Sequence, residues 1–406
     1  MKTNRIDCDF ARPYRLKNTI QHYSWGTRGD RAFIPHLLSM NPDNDEPYAE
    51  LWMGVHPTSP SVVIDPKNEP QLLSKWIAEN PPERLSQKCS DDFPDELPYL
   101  LKVLSIGQAL SIQAHPNKAQ AALLHQNDPK HYPDDNHKPE IAIAIDYLIA
   151  LVGFINSDQF ADLYEDMPEL QTLLSWEDEE SPDLRTAVMA LLELNDVDLD
   201  KIDSCVQSLK NRLTLKDDCS EIELLFLEQL EHQDTQDIGL IFLFLMNMVH
   251  LSPGEAIFLP PGVPHAYLKG NIIECMANSD NVVRLGLTNK FCDARALSEV
   301  LVFDVSGDYR VEISSDGYIT EYKCAISEFR VKSLDLLQGE SRAFSYRTQF
   351  TMFLLLEGEV SLHWGSSQSA CVSIFRRGDS FITPANLSEF SLQAKGHSKL
   401  YLVELP

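Results

Sequence analysis

The chain has 406 residues, of which 43% are hydrophobic and 9% aromatic, a composition typical of a globular protein with two or three cores. Its 34 Lys and Arg residues are outnumbered by 61 Asp and Glu residues, which gives a formal net charge of −27. This charge argues against nucleic acid or an anionic membrane as a partner. An anionic substrate must therefore be held by basic residues gathered locally in a pocket.

The sequence favours an intracellular protein without a membrane span. Residues 1–9 carry charges and no apolar core, so no export signal is expected. The longest apolar run, residues 238–251, is shorter than the roughly 20 residues needed to cross a bilayer and is predicted to form a buried helix. Eight cysteines without a CxxC pair suit free thiols in a reducing cytoplasm and do not favour a zinc–thiolate site.

The pattern of apolar residues divides the chain into four segments. Residues 1–155 contain short apolar stretches bounded by turn residues, which predict strands at 61–64, 99–104, 109–113 and 141–145. Residues 156–248 change to helical spacing and predict four or five amphipathic helices. Strand patterns return in residues 249–315, so the helical segment is predicted to be an insertion within one β domain. Residues 316–406 predict a second β-rich domain.

Residues 254–265 (GEAIFLPPGVPH) carry the strongest motif, which fits G-x5-P-x-G-x2-H, the second sequence motif of cupin barrels. Gly254 opens a turn before a short apolar strand, and Pro260 with Gly262 then turns the chain so that His265 is directed inward. A buried structural histidine is the alternative interpretation. The fold predicted is mainly β with an inserted α-helical domain, with two cupin-like jelly-roll barrels.

Metal ligands are expected at four positions of the first barrel. Gln113 and His115 are two residues apart, so on a strand they lie on the same face, and Glu140 supplies a carboxylate. Together with His265 they form a mixed nitrogen and oxygen site, which suits zinc as well as iron or manganese. The second barrel is predicted to be degenerate and metal-free, because Glu389 stands where the first barrel has its histidine.

Several ordered blocks of the sequence closely resemble the type I mannose-6-phosphate isomerases. They lie between about residues 14 and 293, and they are residues 21–26 (QHYSWG), 49–54 (AELWMG), 56–57 (HP), 97–104 (LPYLLKVL), 110–118 (LSIQAHPNK), 136–140 (NHKPE) and 259–268 (LPPGVPHAYL). The resemblance implies one zinc ion per chain, held by Gln113, His115, Glu140 and His265. It also implies a catalytic arginine, which falls on Arg284, and a substrate pocket that contains Lys102, Ser111 and Lys138.

The residues themselves agree with this pocket. Lys102 stands in an apolar run, where an unpaired ammonium group is costly, so it is expected to face a polar cavity. Ser111 lies two residues before Gln113, and Lys138 lies two residues before Glu140. A solvated surface charge is the alternative for each of these basic residues.

The reaction implied is the interconversion of mannose 6-phosphate and fructose 6-phosphate through an enediol, in mannose metabolism and GDP-mannose biosynthesis. It needs a group that moves a proton between C1 and C2, and Glu274 is favoured, with Asp280, Lys138 or a metal-bound water as alternatives. Arg284 adds positive charge beside the developing oxyanion. Tyr267 and Trp25 are candidates for contact with the sugar or for simple packing.

Two other functions fit the same ligands. Cupins with nitrogen and oxygen ligands include iron-dependent oxygenases, which use open coordination positions for oxygen. A second alternative is a cupin that binds a sugar phosphate without turnover. The Gln at position 113, the nearby lysines and Arg284 favour the redox-neutral isomerase. A small-molecule sugar phosphate is thus the expected partner, and a monomer is expected.

Overall fold

The structure is a computed structural model, and it describes residues 11–66, 68–93, 96–175, 183–194, 197–303, 309–345, 348–365 and 370–405. Within these ranges the chain is mostly sheet, and a block of helices separates two strand-forming segments. This agrees with the predicted order of elements. Among the described helices, none combines the length and the apolarity that a bilayer crossing requires.

The first segment alternates short strands with short helices. Its strands are β1 (Tyr14–Lys17), β2 (Thr19–Gln21), β3 (Glu50–Met53), β4 (Val62–Ile64), β5 (Gln71–Leu72), β6 (Tyr99–Ile106), β7 (Ile112–Ala114) and β8 (Glu140–Phe154). Its helices are α1 (Phe33–Leu37), α2 (Leu73–Ala78), α3 (Pro81–Arg84), α4 (Gln87–Asp92) and α5 (Lys118–Asn127). The strands predicted at 61–64, 99–104 and 141–145 are confirmed, whereas the strand predicted at 109–113 begins only at Ile112.

The helical segment contains five helices of seven or more residues in its described part, which confirms the prediction from apolar spacing. They are α6 (Ser157–Asp166), α7 (Pro168–Leu174), α8 (Leu184–Glu193), α9 (Leu199–Thr214) and α10 (Glu221–Gln229). Their apolar stripes form one buried core together with residues of β7 and of a later strand, β12 (Val283–Gly286), which pairs with β7. The helices are therefore packed against the strands that carry the site.

The prediction of one buried helix over residues 238–251 is wrong. A short helix α11 (Gly239–Phe242) and a 3-10 turn (Leu243–Leu245) end at Met246, where strand β9 (Met246–Leu251) begins. β9 pairs with the C-terminal part of β8, so that His250 lies opposite Ile149. An apolar run of this length does not distinguish helix from strand, and the pairing with β8 decides the conformation.

The remaining chain returns to strands. They are β10 (Ala256–Leu259), β11 (His265–Ala277), β12 (Val283–Gly286), then after helix α12 (Ala294–Val300) β13 (Ile313–Ser315), β14 (Ile319–Tyr322), β15 (Arg330–Leu336), β16 (Ser341–Phe344), β17 (Thr351–Glu357), β18 (Glu359–Trp364), β19 (Cys371–Arg376), β20 (Ser380–Thr383), β21 (Phe390–Ala394) and β22 (Ser398–Glu404). The strands predicted around 255–259, 272–275 and 282–285 are confirmed.

One nine-stranded sheet positions the candidate site. Its main path is β10-β8-β11-β6-β3-β2, with β9 on β8 and with β7 joined to both β11 and β12. In the antiparallel register, Glu140 lies opposite Leu259 and Met276, and His265 lies opposite Gln113. Residues that are far apart in sequence therefore meet on neighbouring strands.

A second nine-stranded sheet joins the two ends of the chain. Its order is β13-β14-β15-β22-β17-β20-β1-β4-β5, so strands from the first segment continue a sheet built by the last one. A separate sheet with the order β16-β21-β18-β19 packs beside it, around stacked rings such as Phe375 and Phe381 with centroids 3.8 Å apart. The domain limits drawn from the sequence stay predictions.

Candidate metal centre

Three side chains from separate strands converge in the interior. His115 follows β7, Glu140 begins β8 and His265 begins β11, and one ligand atom from each lies within 4.8 Å of the others. All three residues are at most 2% exposed. Carboxylate and imidazole groups at this spacing are the donors that zinc and related divalent metals take.

The donor atoms are left without hydrogen-bond partners. His115 Nε2, His265 Nε2 and Glu140 Oε2 are buried and unsatisfied, and the two imidazole nitrogens lie 3.5 and 3.4 Å from the Glu140 carboxylate. A buried polar atom without a partner costs about 1–3 kcal/mol, so three at one point need an explanation. A bound cation is the species that satisfies all three at once.

The other ring nitrogen of each histidine fixes its tautomer. His115 Nδ1 lies 2.8 Å from the carbonyl oxygen of Asn281, and His265 Nδ1 lies 3.0 Å from that of Val263. A carbonyl oxygen only accepts, so each Nδ1 carries the proton and each Nε2 presents a lone pair inward. Burial also lowers the pKa of His115 to about 4, which keeps the ring neutral near pH 7.

Glu140 is held as a carboxylate. Burial opposes its ionisation, but the Lys138 ammonium 3.0 Å from Oε1 holds its pKa well below the usual range. Lys138, a residue predicted to contact substrate or to act in catalysis, is itself only 7% exposed. It therefore serves at least to set the charge of Glu140.

Gln113 and Ser111 both lie near the three converging side chains, but only Gln113 is part of a strand. Gln113 lies on β7 directly opposite His265 and also opposite Arg284 on β12. Ser111 precedes the strand and is not part of it. Both line the same cavity as Glu140. Gln113 thus has the neighbours expected of a fourth ligand, which remains a proposal.

A network of hydrogen bonds joins residues 134–136, which precede Glu140, to residues 279–281. Asp134 accepts hydrogen bonds from the Ser279 hydroxyl at 2.7 Å and from the Asp280 backbone N–H at 2.8 Å. The side-chain amide of Asn281 donates to the backbone carbonyls of Asp134, at 2.7 Å, and Asn136, at 2.9 Å. The same Asn281 supplies the carbonyl that orients His115. This network thus connects the loop before Glu140 to His115. Hydrogen bonds of this kind keep the side chain of a metal-binding histidine in one orientation.

Of the three groups, Glu140 lines a cavity of about 1020 Å³. Lys102, on β6, lies inside it with Nζ 3.1 Å from Glu274 and 3.6 Å from Glu50. Burial opposes the charge on Lys102, but the carboxylates of Glu50 and Glu274 raise its pKa. The expectation that Lys102 faces a polar cavity is met, and its charge is balanced by two acids.

Glu274, on β11, is a buried carboxyl group that lines the same cavity. Its pKa is raised by burial, and by the charges of Glu140 and Glu50, against the opposing effect of Lys102. Tyr267 lies on the same strand, and burial together with the nearby Glu274 raises the pKa of its phenol well above the usual value. Trp25 also lines the cavity, where it stacks on Tyr23.

Asp280 lies at the cavity wall beside a histidine that the sequence did not single out. His56 Nε2 lies 3.0 Å from Asp280 Oδ1, and this hydrogen bond lowers the pKa of the aspartate. His56 is 3% exposed and meets the Trp52 ring edge to face, with the centroids 4.7 Å apart. Asp280 is therefore held as an anion in a fixed position.

Arg284 and Lys290 are the cavity cations that lack an acidic partner among the described residues. Burial lowers the pKa of Arg284, whereas burial and the nearby Arg284 lower that of Lys290. An arginine keeps its charge near neutral pH, so this end of the cavity is positive. Lys290 was not among the sequence candidates.

Sequence reasoning missed five residues of this region, and most give no local signal. Lys290 resembles an ordinary surface lysine, and Glu50 and His56 become relevant only through contacts with distant strands. Asp237 contributes through its carboxylate, which accepts hydrogen bonds from backbone N–H groups of a distant loop, and Asn281 contributes through its backbone carbonyl and its side-chain amide. Glu50 and His56 gave a hint, because each stands inside a block that resembles the family. The five residues are Glu50, His56, Asp237, Asn281 and Lys290.

Comparison with known families and proteins gives consistent matches. Residues 14–156 match the family described as "Phosphomannose isomerase type I, catalytic domain". Mannose-6-phosphate isomerase 2 of Arabidopsis thaliana is 36% identical over 95% of this chain and 92% of its own length. The human mannose-6-phosphate isomerase is 36% identical over 80% of this chain and 82% of its own length.

Solved structures match over nearly the whole chain. The crystal structure of an arginine-to-alanine variant of the phosphomannose isomerase from Salmonella typhimurium has a TM-score of 0.85 and is 27% identical. A zinc-bound structure of a mannose 6-phosphate isomerase has a TM-score of 0.84 and is also 27% identical. Each match covers 97% of this chain and 99% of the other.

Proposed function

The chain belongs to the type I phosphomannose isomerase family, and we propose that it interconverts D-mannose 6-phosphate and D-fructose 6-phosphate through an enediol. The observation that carries this proposal is the convergence of His115, Glu140 and His265 beside a cavity with a positive end. An aldose–ketose isomerase needs an electrophile, a proton-transfer group and a phosphate site. Each has a candidate among the cavity residues.

The cofactor is one zinc ion per chain. His115, Glu140 and His265 fit it through their buried, unpartnered donor atoms, and we assign Gln113 as the fourth ligand from its position opposite His265. Zinc bound there supplies a Lewis acid that polarises the carbonyl and hydroxyl oxygens at C1 and C2. The histidines need no rearrangement, because the carbonyls of Asn281 and Val263 already fix their tautomers.

Glu274 is assigned the proton transfer between C2 and C1. A carboxylate with a raised pKa takes a proton from the sugar carbon and returns it at the adjacent carbon more readily than an ordinary carboxylate. Lys102 lies 3.1 Å away and opposes the increase in the pKa of Glu274 that burial causes. This arrangement favours Glu274 over Asp280, whose pKa is lowered by His56.

The phosphate is assigned to the end of the cavity with Arg284 and Lys290. Lys102 and Lys138 are each paired with carboxylates, so they have less charge to offer an anion. Arg284 and Lys290 have no such partner within the described part of the chain, and a phosphate dianion relieves their mutual repulsion. Arg284 lies opposite Gln113 and so also adds positive charge near C1 and C2. Ser111 and Tyr267 are assigned contacts with the sugar hydroxyls.

The finer features of the fold and setting are part of the same proposal. We infer two cupin-like barrels, of which the first binds the metal and the second, with the exposed Glu389 at the corresponding position, does not. The seven cysteines that the structure describes are free thiols, which supports a reducing compartment such as the cytoplasm. We also propose that the protein is a monomer and that its reaction serves mannose metabolism and GDP-mannose synthesis.

A coupled assay tests the function. Purified protein is incubated with mannose 6-phosphate, and fructose 6-phosphate is followed through a dehydrogenase-coupled reaction. Turnover is expected with zinc, is expected to stop after chelation, and is expected to be unchanged under strict anaerobiosis. A dependence on oxygen would support the iron oxygenase instead. Binding of the sugar phosphate without turnover in the zinc-loaded protein would indicate a non-catalytic cupin.

A further inference from the structure

The loop that follows β12 carries Lys290 and is held in an uncommon backbone conformation. Leu287 has φ +55°, in the left-handed region that a leucine rarely adopts. The loop continues through Thr288 and Asn289 to the exposed Lys290. Leu287 itself is buried, and a loop that contains a residue in this conformation needs contacts outside itself to keep it.

Those contacts come from Asp237, which lies in the helical segment just before α11. One carboxylate oxygen of Asp237 accepts hydrogen bonds from the backbone N–H groups of Gly239, at 2.7 Å, and Leu287, at 3.0 Å. The other oxygen accepts from the backbone N–H of Thr288 at 2.8 Å. Every one of these partners is a donor, so Asp237 must offer lone pairs on both oxygens.

Two glycines bring the segments into direct backbone contact at the same point. A Cβ on Gly286 would lie 2.3 Å from the Cα of Gly239, and a Cβ on Gly239 would lie 2.3 Å from the backbone nitrogen of Leu287. Such distances allow no side chain at either position. The backbone at the end of β12 therefore packs directly against the backbone of α11, which restricts the position of the loop that follows.

We propose that Asp237 is a positioning residue that fixes the loop after β12 and so holds Lys290 beside Arg284 for a phosphate group. The proposal rests on the function assigned above, because it takes that end of the cavity to be the phosphate site. Asp237 acts through the backbone of Leu287 and Thr288. It gives the helical segment a role in substrate binding.

The variant Asp237→Asn separates this role from simple packing. Asparagine has the same shape but one acceptor oxygen, and its amide group would place N–H donors against backbone N–H donors on one side. The loop is expected to lose its fixed conformation, which moves Lys290 away from Arg284. Asp183→Asn is the matched control, because Asp183 also accepts a backbone N–H, that of Thr186 at 2.9 Å, but caps α8 in an exposed position.

Steady-state kinetics with mannose 6-phosphate, zinc content and calorimetric binding of inorganic phosphate are measured for both variants and the wild type. For Asp237→Asn, KM and the dissociation constant of phosphate are expected to rise by about tenfold, with kcat changed less than threefold and zinc retained. Asp183→Asn is expected to match the wild type. If folded, zinc-loaded Asp237→Asn keeps both constants within twofold, or loses kcat alone, the proposal is wrong.

Hydrogen exchange in the wild type keeps the proposal testable if the variant does not fold. The amides of Leu287 and Thr288 are expected to be protected by at least a hundredfold relative to that of the exposed Asn289. Rapid exchange at all of these positions would overturn the proposed constraint. Phosphate binding and hydrogen exchange need no turnover, so absence of isomerase activity in the wild type would count against the proposed function and leave this inference to those two measurements.

Discussion

Glu328 and His137 form a contact that connects the last segment of the chain to the candidate metal site. His137 Nε2 lies 2.6 Å from Glu328 Oε1, although the residues are 191 positions apart. Glu328 is 2% exposed, and its second oxygen accepts a hydrogen bond from the Ser327 hydroxyl at 3.0 Å. His137 directly precedes Lys138, which sets the charge of Glu140. The strand-rich C-terminal segment therefore supports the loop that carries two site residues.

Replacing Glu328 with Gln is expected to reduce both stability and activity. The variant loses a charged acceptor in a buried position, which is expected to lower the free energy of unfolding by about 1–3 kcal/mol. Displacement of Lys138 is expected to lower kcat several-fold. Denaturant unfolding and the coupled assay measure the two effects. Glu359→Gln, which removes a surface pair with Arg376, is the control and is expected to change stability by less than about 0.5 kcal/mol.

The contribution of Glu328 is expected to depend on pH. Burial opposes its ionisation, but the hydrogen bond and charge of His137 lower its pKa to about 2, from 4.5 in an unfolded chain. A lowered pKa in the folded state gives stability that is fully present above about pH 4.5 and is lost as the pH falls towards 2. The difference in unfolding free energy between wild type and Glu328→Gln should therefore be larger at pH 5.5 than at pH 4. A constant difference across this range would contradict the pairing.

Replacing His265 with Ala is expected to abolish zinc binding and turnover together. The change removes one of three converging donors and leaves Glu140 with less compensation for its buried charge. Elemental analysis of the purified variant measures zinc per chain. His397→Ala is the control, because that histidine is about half exposed and pairs with surface acids. Normal zinc content in the His265 variant would contradict its assignment as a ligand.

Replacing Glu274 with Gln is expected to lower kcat by about 10²- to 10⁴-fold, the range for loss of a general acid–base group. Zinc content is expected to be unchanged, because Glu274 is not one of the three converging donors. Exchange of solvent deuterium into C1 or C2 of the sugar phosphate should decrease in parallel. Unchanged exchange in a zinc-loaded variant would show that another group transfers the proton.

Replacing Lys290 with Gln is expected to weaken phosphate binding. Loss of one charge-assisted hydrogen bond costs about 1.5–3 kcal/mol, so KM is expected to rise by roughly 10- to 100-fold with kcat less affected. Lys323→Gln is the control, since Lys323 pairs with Glu312 on the surface. A KM equal to that of the wild type would place the phosphate elsewhere in the cavity, beside Lys102 or Lys138.

Replacing Glu389 with Ala is expected to leave activity near the wild-type level. Glu389 is exposed and lines a small surface pocket with His363 and Trp364, away from the residues that line the main cavity. The coupled assay and zinc analysis check this prediction. A collapse in rate at normal zinc content would show that the C-terminal segment takes part in catalysis.

The sequence by itself predicted the three residues that converge in the structure, His115, Glu140 and His265, and most of the strands around them. His265 and the Gln113–His115 pair are found from local spacing, because a turn with a fixed glycine and the two-residue period of a strand each fix where a side chain points. The five helices α6 to α10 of the helical segment are likewise predicted from the spacing of their apolar residues. The prediction of a helix over the apolar run 238–251 was wrong, because the run has neither a helical nor a strand periodicity. The second half of the run pairs with β8 and is a strand.

Only the tertiary structure decided which charges remain available and what holds them in place. The sequence does not distinguish Lys102 from Lys290, yet Lys102 forms ion pairs with Glu50 and Glu274, whereas Lys290 forms no ion pair with an acid among the described residues. The contacts of Asp237 with Thr288 and of Glu328 with His137 join segments 51 and 191 residues apart. Such pairs are selected by burial and by sheet register, and neither leaves a local pattern in the chain.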